Sequence, residues 1–503
     1  MKRARLPIAA ALLGASAFAA TAQDLTIALQ SDPDTLDPDP NRSFVGRIVL
    51  AALCDKLVDI SPELDIVPQL ATDWTWSDDE SAITFQLRED VTFHDGTPFD
   101  AEAVKWNIER SQNLDVSQRK TEIETIASVE VVGPHEVRFD LTSPDAALLA
   151  QLTDRAGMMI SPSAAKDAGE DFGLAPVCSG PFTFENRVAQ DRIELARYDD
   201  YWNADEIHFD SVTYLPIPDT TVRLANLLAG DVDIIERLAA TDLEQARQDP
   251  QVNVELITSL GYQGLTFNLA NGPQGDEPWG SDKRLRQALN LSIDREALNQ
   301  VVFDGAFAGA IQPFDPSSPW FDEATPVPER DIEAARALLA EAGYPDGITL
   351  EAQVPNSTEA QQVMQVVQAM ASEAGIRIEL VSKEFATILA DQARGAFTAS
   401  QIGWSGRIDP DGNLATFLNS EGGLNDSGFG TEEVDALLAQ ARETSDREER
   451  KALYDQVQAI ANDELPIVYL YHRAWVYALD DAIEGFVPYP DGIIRLEGIR
   501  RTE

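Results

Sequence analysis

The sequence predicts a mixed α/β protein, and three observations carry that prediction. Helix-then-strand units recur in the second half. Val363, Val366, Val367 and Met370 repeat at helical spacing between Ser357 and Gly375, and Ile376-Arg377-Ile378-Glu379-Leu380 then alternates as a strand. A similar unit runs from Leu453, Val457 and Ile460 into the apolar stretch Pro466 to Tyr471, an order that favours a parallel or mixed sheet. Ile83, Phe85 and Leu87 alternate with polar residues, as do Val137, Phe139 and Leu141, which is the period of half-buried strands. Finally, 503 residues with 44% hydrophobic and 25% charged composition suffice for two or three domains, each with its own core.

In chain order, residues 1–22 read as an export signal. Lys2, Arg3 and Arg5 precede a mostly apolar run from Leu6 to Ala19, and Ala20-Thr21-Ala22 places small residues before Gln23. The run is shorter than the roughly 20 residues that span a bilayer. Cleavage before Gln23 is therefore expected, with no adjacent Cys to carry a lipid, and a soluble exported product fits a bacterial periplasm. Leu25 to Leu29 reads as the first strand, closed by Asp32-Pro33-Asp34-Thr35-Leu36-Asp37-Pro38. The aspartates lack the spacing and glycine of a calcium loop, so the prolines mark a turn. Between the two alternating strands, Asp100 is placed to cap a helix carrying Val104 and Ile108, and this region reads as a compact α+β insertion. No tandem repeat or low-complexity linker separates the parts.

Lys and Arg total 38 against 86 Asp and Glu, a formal charge of −48. So acidic a chain is repelled by phosphate backbones and anionic lipid, which disfavours nucleic-acid and membrane-surface roles. Cys54 and Cys178 are the two cysteines. In an oxidising compartment an even count favours a disulfide, worth roughly 3–5 kcal/mol for so long a loop. Two separately buried thiols are the competing reading. His94, His135, His208 and His472 show no ligand spacing with the cysteines, so no metal site is expected. Motifs for zinc proteases, phosphate loops and dithiol redox centres are missing. Gly403-Trp404-Ser405-Gly406-Arg407 begins like a nucleophile elbow and fails at Arg407. An enzyme is not expected, and a periplasmic hydrolase remains a remote alternative.

An ordered set of short motifs points to a family. Asp65-Ile66-Val67-Pro68-Gln69-Leu70-Ala71, Trp76, Ile83 to Arg88, and Val91-Thr92-Phe93-His94-Asp95-Gly96-Thr97-Pro98-Phe99 form one block. Cys178-Ser179-Gly180-Pro181-Phe182, Arg223 to Asp233, Phe267-Asn268, Arg284 to Leu289, Gly403-Trp404 and Asp409-Pro410-Asp411 follow. This series resembles the family 5 extracellular solute-binding proteins, the peptide-, glutathione-, opine- and nickel-binding class that serves ABC importers. The resemblance implies a type II periplasmic binding protein of the large peptide-binding class, with mixed sheets in two lobes around a cleft. It divides the chain into a signal peptide (1–22), lobe I (23–60), an inserted α+β subdomain (61–178), the second part of lobe I (179–265), lobe II (266–480) and a return to lobe I (481–503). It implies a monomer without cofactor that encloses a small solute and hands it to an inner-membrane ABC permease with its ATPase subunits. A sensory receptor on the same scaffold is the alternative. Cys178 stands where many members have Gly, which supports a disulfide particular to a subgroup, and His94-Asp95-Gly96 reads as a turn.

The expected ligand contacts depart from those of peptide binders. Dipeptide and oligopeptide binders similar to this chain hold the ligand ammonium with an Asp shortly after the Gly-Trp pair, where Arg407 stands here. Their carboxylate-clamping Arg aligns with Val354, and an expected aromatic with Asn356. A planar guanidinium at 407 suits a carboxylate or another anion, so a non-peptide anionic solute (opine-like, glutathione-like or a metal chelate) competes with a peptide. The bland reading pairs Arg407 with Asp409 or Asp411 as an ordinary ion pair. Trp404 and Tyr262 are candidates to cover an apolar ligand surface. Glu236 and Arg237 follow Gly230-Asp231-Val232-Asp233 near the expected cleft. The expected ligand-binding set is Arg407, Trp404, Ser405, Tyr262, Arg237 and Asp409.

Overall fold

The computed structural model describes residues 23–502. The export signal expected over 1–22 lies outside the described residues. Among those described, no helix is long and apolar enough to cross a membrane.

Two mixed sheets organise the molecule. The first has seven strands in the order Val252–Thr258, Ala474–Asp480, Ile234–Ile235, Asp24–Leu29, Ser211–Pro216, Arg192–Arg197 and Phe182–Val188. Asp24–Leu29 is its parallel centre, flanked by Ser211–Pro216 and Ile234–Ile235, and the remaining pairs are antiparallel. The second sheet has six strands in the order Ala308–Gly309, Ile467–His472, Tyr262–Phe267, Ala399–Trp404, Ile348–Pro355 and Ile376–Lys383. Each sheet supports its own apolar core, so the molecule has two lobes.

The helix-then-strand unit forms as its pattern predicts, with one adjustment. The helix Thr358–Ala374 starts at Ser357, whose side chain accepts from the Ala360 N–H, and stops at Gly375 with φ +98°. Its buried line is Ala360, Val363, Met364, Val367 and Ala371, whereas Val366 and Met370 sit half-buried at its margin. At about 100° per residue, Met364 and Val366 point to nearly opposite sides, so the buried face is centred on Val363 and Val367 and extends toward Met364 rather than toward Val366.

The insertion carries a four-stranded antiparallel sheet, Ala71–Trp76, Ala82–Leu87, Glu136–Leu141 and Ile126–Gly133. Ile83, Phe85, Val137 and Phe139 point to one face and are fully buried beneath the helix Ala101–Asn113, which Asp100 caps. Cys54 directly follows the helix Phe44–Leu53 and is disulfide-bonded to Cys178, 124 residues later. The bond therefore ties the strand of chain leaving lobe I to the one returning.

The crossings between lobes differ from the expected boundaries. Tyr262–Phe267 pairs in the six-stranded sheet from its first residue, so the outward crossing is Ser259-Leu260-Gly261 rather than 265/266. On the return, Ile467–His472 belongs to the six-stranded sheet, yet Ala474–Asp480 pairs along its whole length with Val252–Thr258 of the other. The lobes are thus rejoined at Arg473, not after residue 480. The apolar run Ile467 to Leu479 contains no Gly or Pro. His472-Arg473 interrupts its apolar pattern where the hydrogen-bonding partner changes.

Candidate functional site

A cavity lies between the lobes, with about 990 Å³ of space not filled by atoms, part of it open to solvent at the mouth. Its lobe I wall is built from Gln30 and Ser31 at the end of the first strand, Phe44 and Arg47 in the first two turns of the helix Phe44–Leu53, and Arg42 just before it. Arg155 and Arg237 complete that wall. The lobe II wall carries Asn356 and Glu359 around the start of the helix Thr358–Ala374, Trp404 and Ser405 at the end of Ala399–Trp404, and Phe417 and Asp426 beyond.

The charged residues are sorted by lobe. All four guanidiniums in the wall (Arg42, Arg47, Arg155 and Arg237) come from the lobe I side, and both carboxylates (Glu359 and Asp426) come from lobe II. Several bind across the cleft. Arg42 pairs with Asp426 and donates from Nη1 to the Leu389 carbonyl at 3.0 Å. Arg47 donates from Nη1 to Ser405 Oγ at 2.8 Å and pairs with Asp154. Arg155 donates from Nη1 to the Asn41 carbonyl at 2.7 Å and to Asn41 Oδ1 at 2.8 Å, and its Nε lies 3.1 Å from Asp154. Arg155 Nη2 is buried with no hydrogen-bond partner among the described residues. Arg237, in the left-handed region at φ +59°, pairs with Glu236 at 2.6 Å and bonds Gln30. Glu359 accepts from the Tyr471 hydroxyl at 2.9 Å and pairs with Arg473 at the return crossing.

Burial and crowding shape these charges. Desolvation, reinforced by Arg119, lowers Arg155 to about 10, and desolvation together with Arg473 does the same to Arg237. Burial opposes ionisation of Asp154, but Arg407 and Arg47 outweigh it and hold its carboxyl well below the usual carboxylate range. The wall is therefore a preformed set of donors whose positive charge is only partly balanced.

Of the residues expected at the site, Trp404, Ser405 and Arg237 line the cavity and Arg407, Tyr262 and Asp409 do not. Trp404 is held by its Nε1–H, which donates to Asn413 Oδ1 at 2.9 Å, and by edge-on contact with Phe417. Arg407 turns away: its Nε lies 3.2 Å from Asp154, so it pairs with neither Asp409 nor Asp411. Its neighbours explain the direction. Gly406 has φ +85° and packs against Leu260 at the crossing, and a Cβ at Gly412 would stand 2.8 Å from Arg407 Cγ. Asp409 is taken by Arg450 through two bonds of 2.8 and 2.9 Å. Tyr262 is buried in lobe II, edge-on to Tyr469 at 4.7 Å. Val354 is fully buried in the lobe II core, whereas Asn356 lines the cavity. His94 is a half-buried group, lowered to about 4 by desolvation, with its ring nitrogens bonded to the Gly180 carbonyl and the Cys178 N–H.

Sequence reasoning missed Arg42, Arg47, Arg155, Glu359 and Asp426. One signal was available. Arg47 is the sole charge in the otherwise apolar helix FVGRIVLAAL, and a cation in such a setting requires a partner.

Comparison with known proteins agrees with this architecture. The family described as bacterial extracellular solute-binding proteins, family 5 Middle, matches residues 65–425. The glutathione-binding protein GsiB of Escherichia coli K12 is 31% identical over 504 residues, covering 97% of this chain and 96% of that protein. Among solved structures, the A. tumefaciens binding protein AgaA in complex with agropinic acid superposes with a TM-score of 0.86 at 26% identity, covering 95% of this chain and 99% of that one. A dipeptide-binding protein from Pseudoalteromonas sp. SM9913 in complex with Met-Leu gives 0.88 at 25% identity, covering 95% and 100%.

Proposed function

The chain belongs to the bacterial extracellular solute-binding proteins, family 5, and on that premise we propose that it captures a small carboxylate-bearing solute between its lobes for an ABC importer. The solute is zwitterionic or anionic and peptide-like in size. The protein works as a periplasmic monomer, exported by its N-terminal signal, and releases the solute chemically unchanged to the membrane permease. The observation that carries this reading is the sorting of charge in the cavity. A chain with 38 basic residues against 86 acidic ones places four guanidiniums in one wall. Such a wall attracts and orients an anion, and the acids on the lobe II side, Glu359 and Asp426, are already paired with Arg473 and Arg42. Relatives that bind glutathione and agropinic acid support the same chemistry. In this reading Arg155, with its unpartnered Nη2, and Arg47 receive the carboxylate in place of Arg407.

Calorimetry with glutathione, its bis-amide and Met-Leu tests the proposal. Glutathione is expected to bind at least about tenfold more tightly than its bis-amide, since a charge-assisted pair is worth on the order of 1.5–3 kcal/mol. X-ray scattering is expected to show a smaller radius of gyration with bound solute, and the solute is expected back intact. Equal affinity for acid and amide, or a converted solute, would refute the reading.

A further inference from the structure

We propose that Arg407 is a positioning residue that makes lobe closure depend on a ligand anion it does not itself touch. This rests on the reading that the cavity takes a carboxylate-bearing solute. Arg407 rides on lobe II, three residues after the strand Ala399–Trp404, and meets Asp154 on the lobe I side. Asp154 already serves Arg47 and Arg155. At distances shorter than 4.0 Å one carboxylate thus answers three guanidiniums, in a seam where the side chains are between 0% and 7% exposed. Arg155 Nη2 and Arg407 Nη2 are both buried without a partner among the described residues. Neighbouring acids are engaged elsewhere, Glu122 with Arg119 and Asp411 with Arg442, while Asp491 is bound by Arg495 at 3.2 Å and reaches Arg47 only at 4.0 Å. Arg407 is also held in place, its guanidinium carbon 4.1 Å over the Trp404 ring.

Closing the lobes therefore drives a third cation toward one carboxylate. In a desolvated seam like charges repel far more than in water, and an uncompensated buried charge opposes closure. Burial and the Arg47 guanidinium indeed push Arg407 well below the usual guanidinium range. Arg47 and Arg155 also line the cavity, so an anion seated against them supplies the missing negative charge. A neutral solute of the same shape leaves the excess in place. Arg407 thereby selects by charge through the energy of the closed form, since a solute favours that form only by its differential affinity for it.

The test combines X-ray scattering of ligand-free protein at low salt with calorimetry on glutathione and its bis-amide, for wild type, Arg407→Gln and Arg407→Lys. Arg407→Gln is expected to have a smaller ligand-free radius than wild type and a roughly tenfold lower acid-over-amide preference. Arg407→Lys, which keeps the charge, is expected to retain both wild-type values. A purely packing role would make Lys and Gln alike and overturns the proposal. Asp154→Asn serves as a second variant, with a larger ligand-free radius expected. An unchanged ligand-free radius in Arg407→Gln also overturns the gate, whichever probe binds. A smaller radius with no glutathione binding to any form upholds the gate and refutes the carboxylate reading of the cavity instead.

Discussion

Two seams join lobe II to the lobe I side, and their charges are arranged in opposite senses. In one, Arg47, Arg155 and Arg407 share Asp154. In the other, Glu124 of the insertion and Asp411 both reach Arg442, whose Nη2 lies 2.8 Å from Asp411, with Asp145 beside them. Gln151 stands between the two, its Nε2 donating to Asp411 at 3.4 Å. The seams differ in what can correct the imbalance. The cationic seam borders the cavity through Arg47 and Arg155, so a solute can neutralise it. None of the acidic seam's residues lines the cavity, so a proton is the available correction. Burial raises Asp145, opposed in part by Arg442, whereas Asp154 is held far down. Similar residues in opposite proportion leave one seam responsive to ligand and the other to pH.

The largest expected effect comes from breaking the acidic seam. Arg442→Met leaves Glu124, Asp145 and Asp411 facing one another without a cation. Removing one partner of a buried pair costs about 3–5 kcal/mol, here charged to the closed form because opening lets the carboxylates rehydrate. Calorimetry should show solute binding weakened at least about a hundredfold, and scattering should show a larger radius. A variant within threefold of wild type would mean that the seam does not hold the closed state.

Breaking the cationic seam from the cavity side comes next. Arg155→Ala is expected to cost about 2–4 kcal/mol in affinity for an acid solute and much less for its amide, because the carboxylate loses a buried partner. Equal losses for both probes would assign Arg155 to packing.

The smallest effect sharpens the comparison through pH. A carboxyl raised in the closed form and nearer its ordinary 3.8 in the open form takes up a proton on closing. Binding should therefore tighten as pH falls from neutral through the raised Asp145 value toward 3.8, and loosen as pH rises, by no more than about 1.4 kcal/mol per pH unit. Asp154 has the opposite sign. Its contribution is complete above 3.8 and is lost only as pH falls through its lowered value, so it adds no slope in that window. Asp145→Asn should flatten the profile measured by calorimetry as pH falls from neutral toward 3.8. An unchanged profile would place the proton elsewhere.

Much of the fold was legible because its signals are local. Alternation at Ile83, Phe85 and Leu87, the capped helix after Ser357 and the ordered motifs each need only a few neighbouring residues. The cavity was not legible to the same degree. Its pairs join residues far apart in sequence, such as Arg42 with Asp426 and Arg47 with Ser405, and no periodicity encodes such partners. Arg407 shows the limit clearly. Its position after Gly403-Trp404 drew attention to a segment of which Trp404 and Ser405 line the cavity, but the direction of its own side chain depends on Asp154 and on the space left by Gly412. The return crossing at Arg473 had a local mark in the polar pair His472-Arg473, but two polar residues between apolar strands do not say that the second strand joins a different sheet.

The Cys54–Cys178 bond sits at the neck of the insertion, where the chain leaves and re-enters lobe I. In covalent terms everything between those residues is a side loop on a shorter main thread. A protease that nicks any exposed turn of the insertion leaves one molecule of full mass, which separates into two fragments only after reduction. The thread through both lobes stays continuous by way of sulfur. A cleaved molecule in an oxidising compartment thus keeps the insertion tethered to lobe I and its closing surfaces within reach of lobe II.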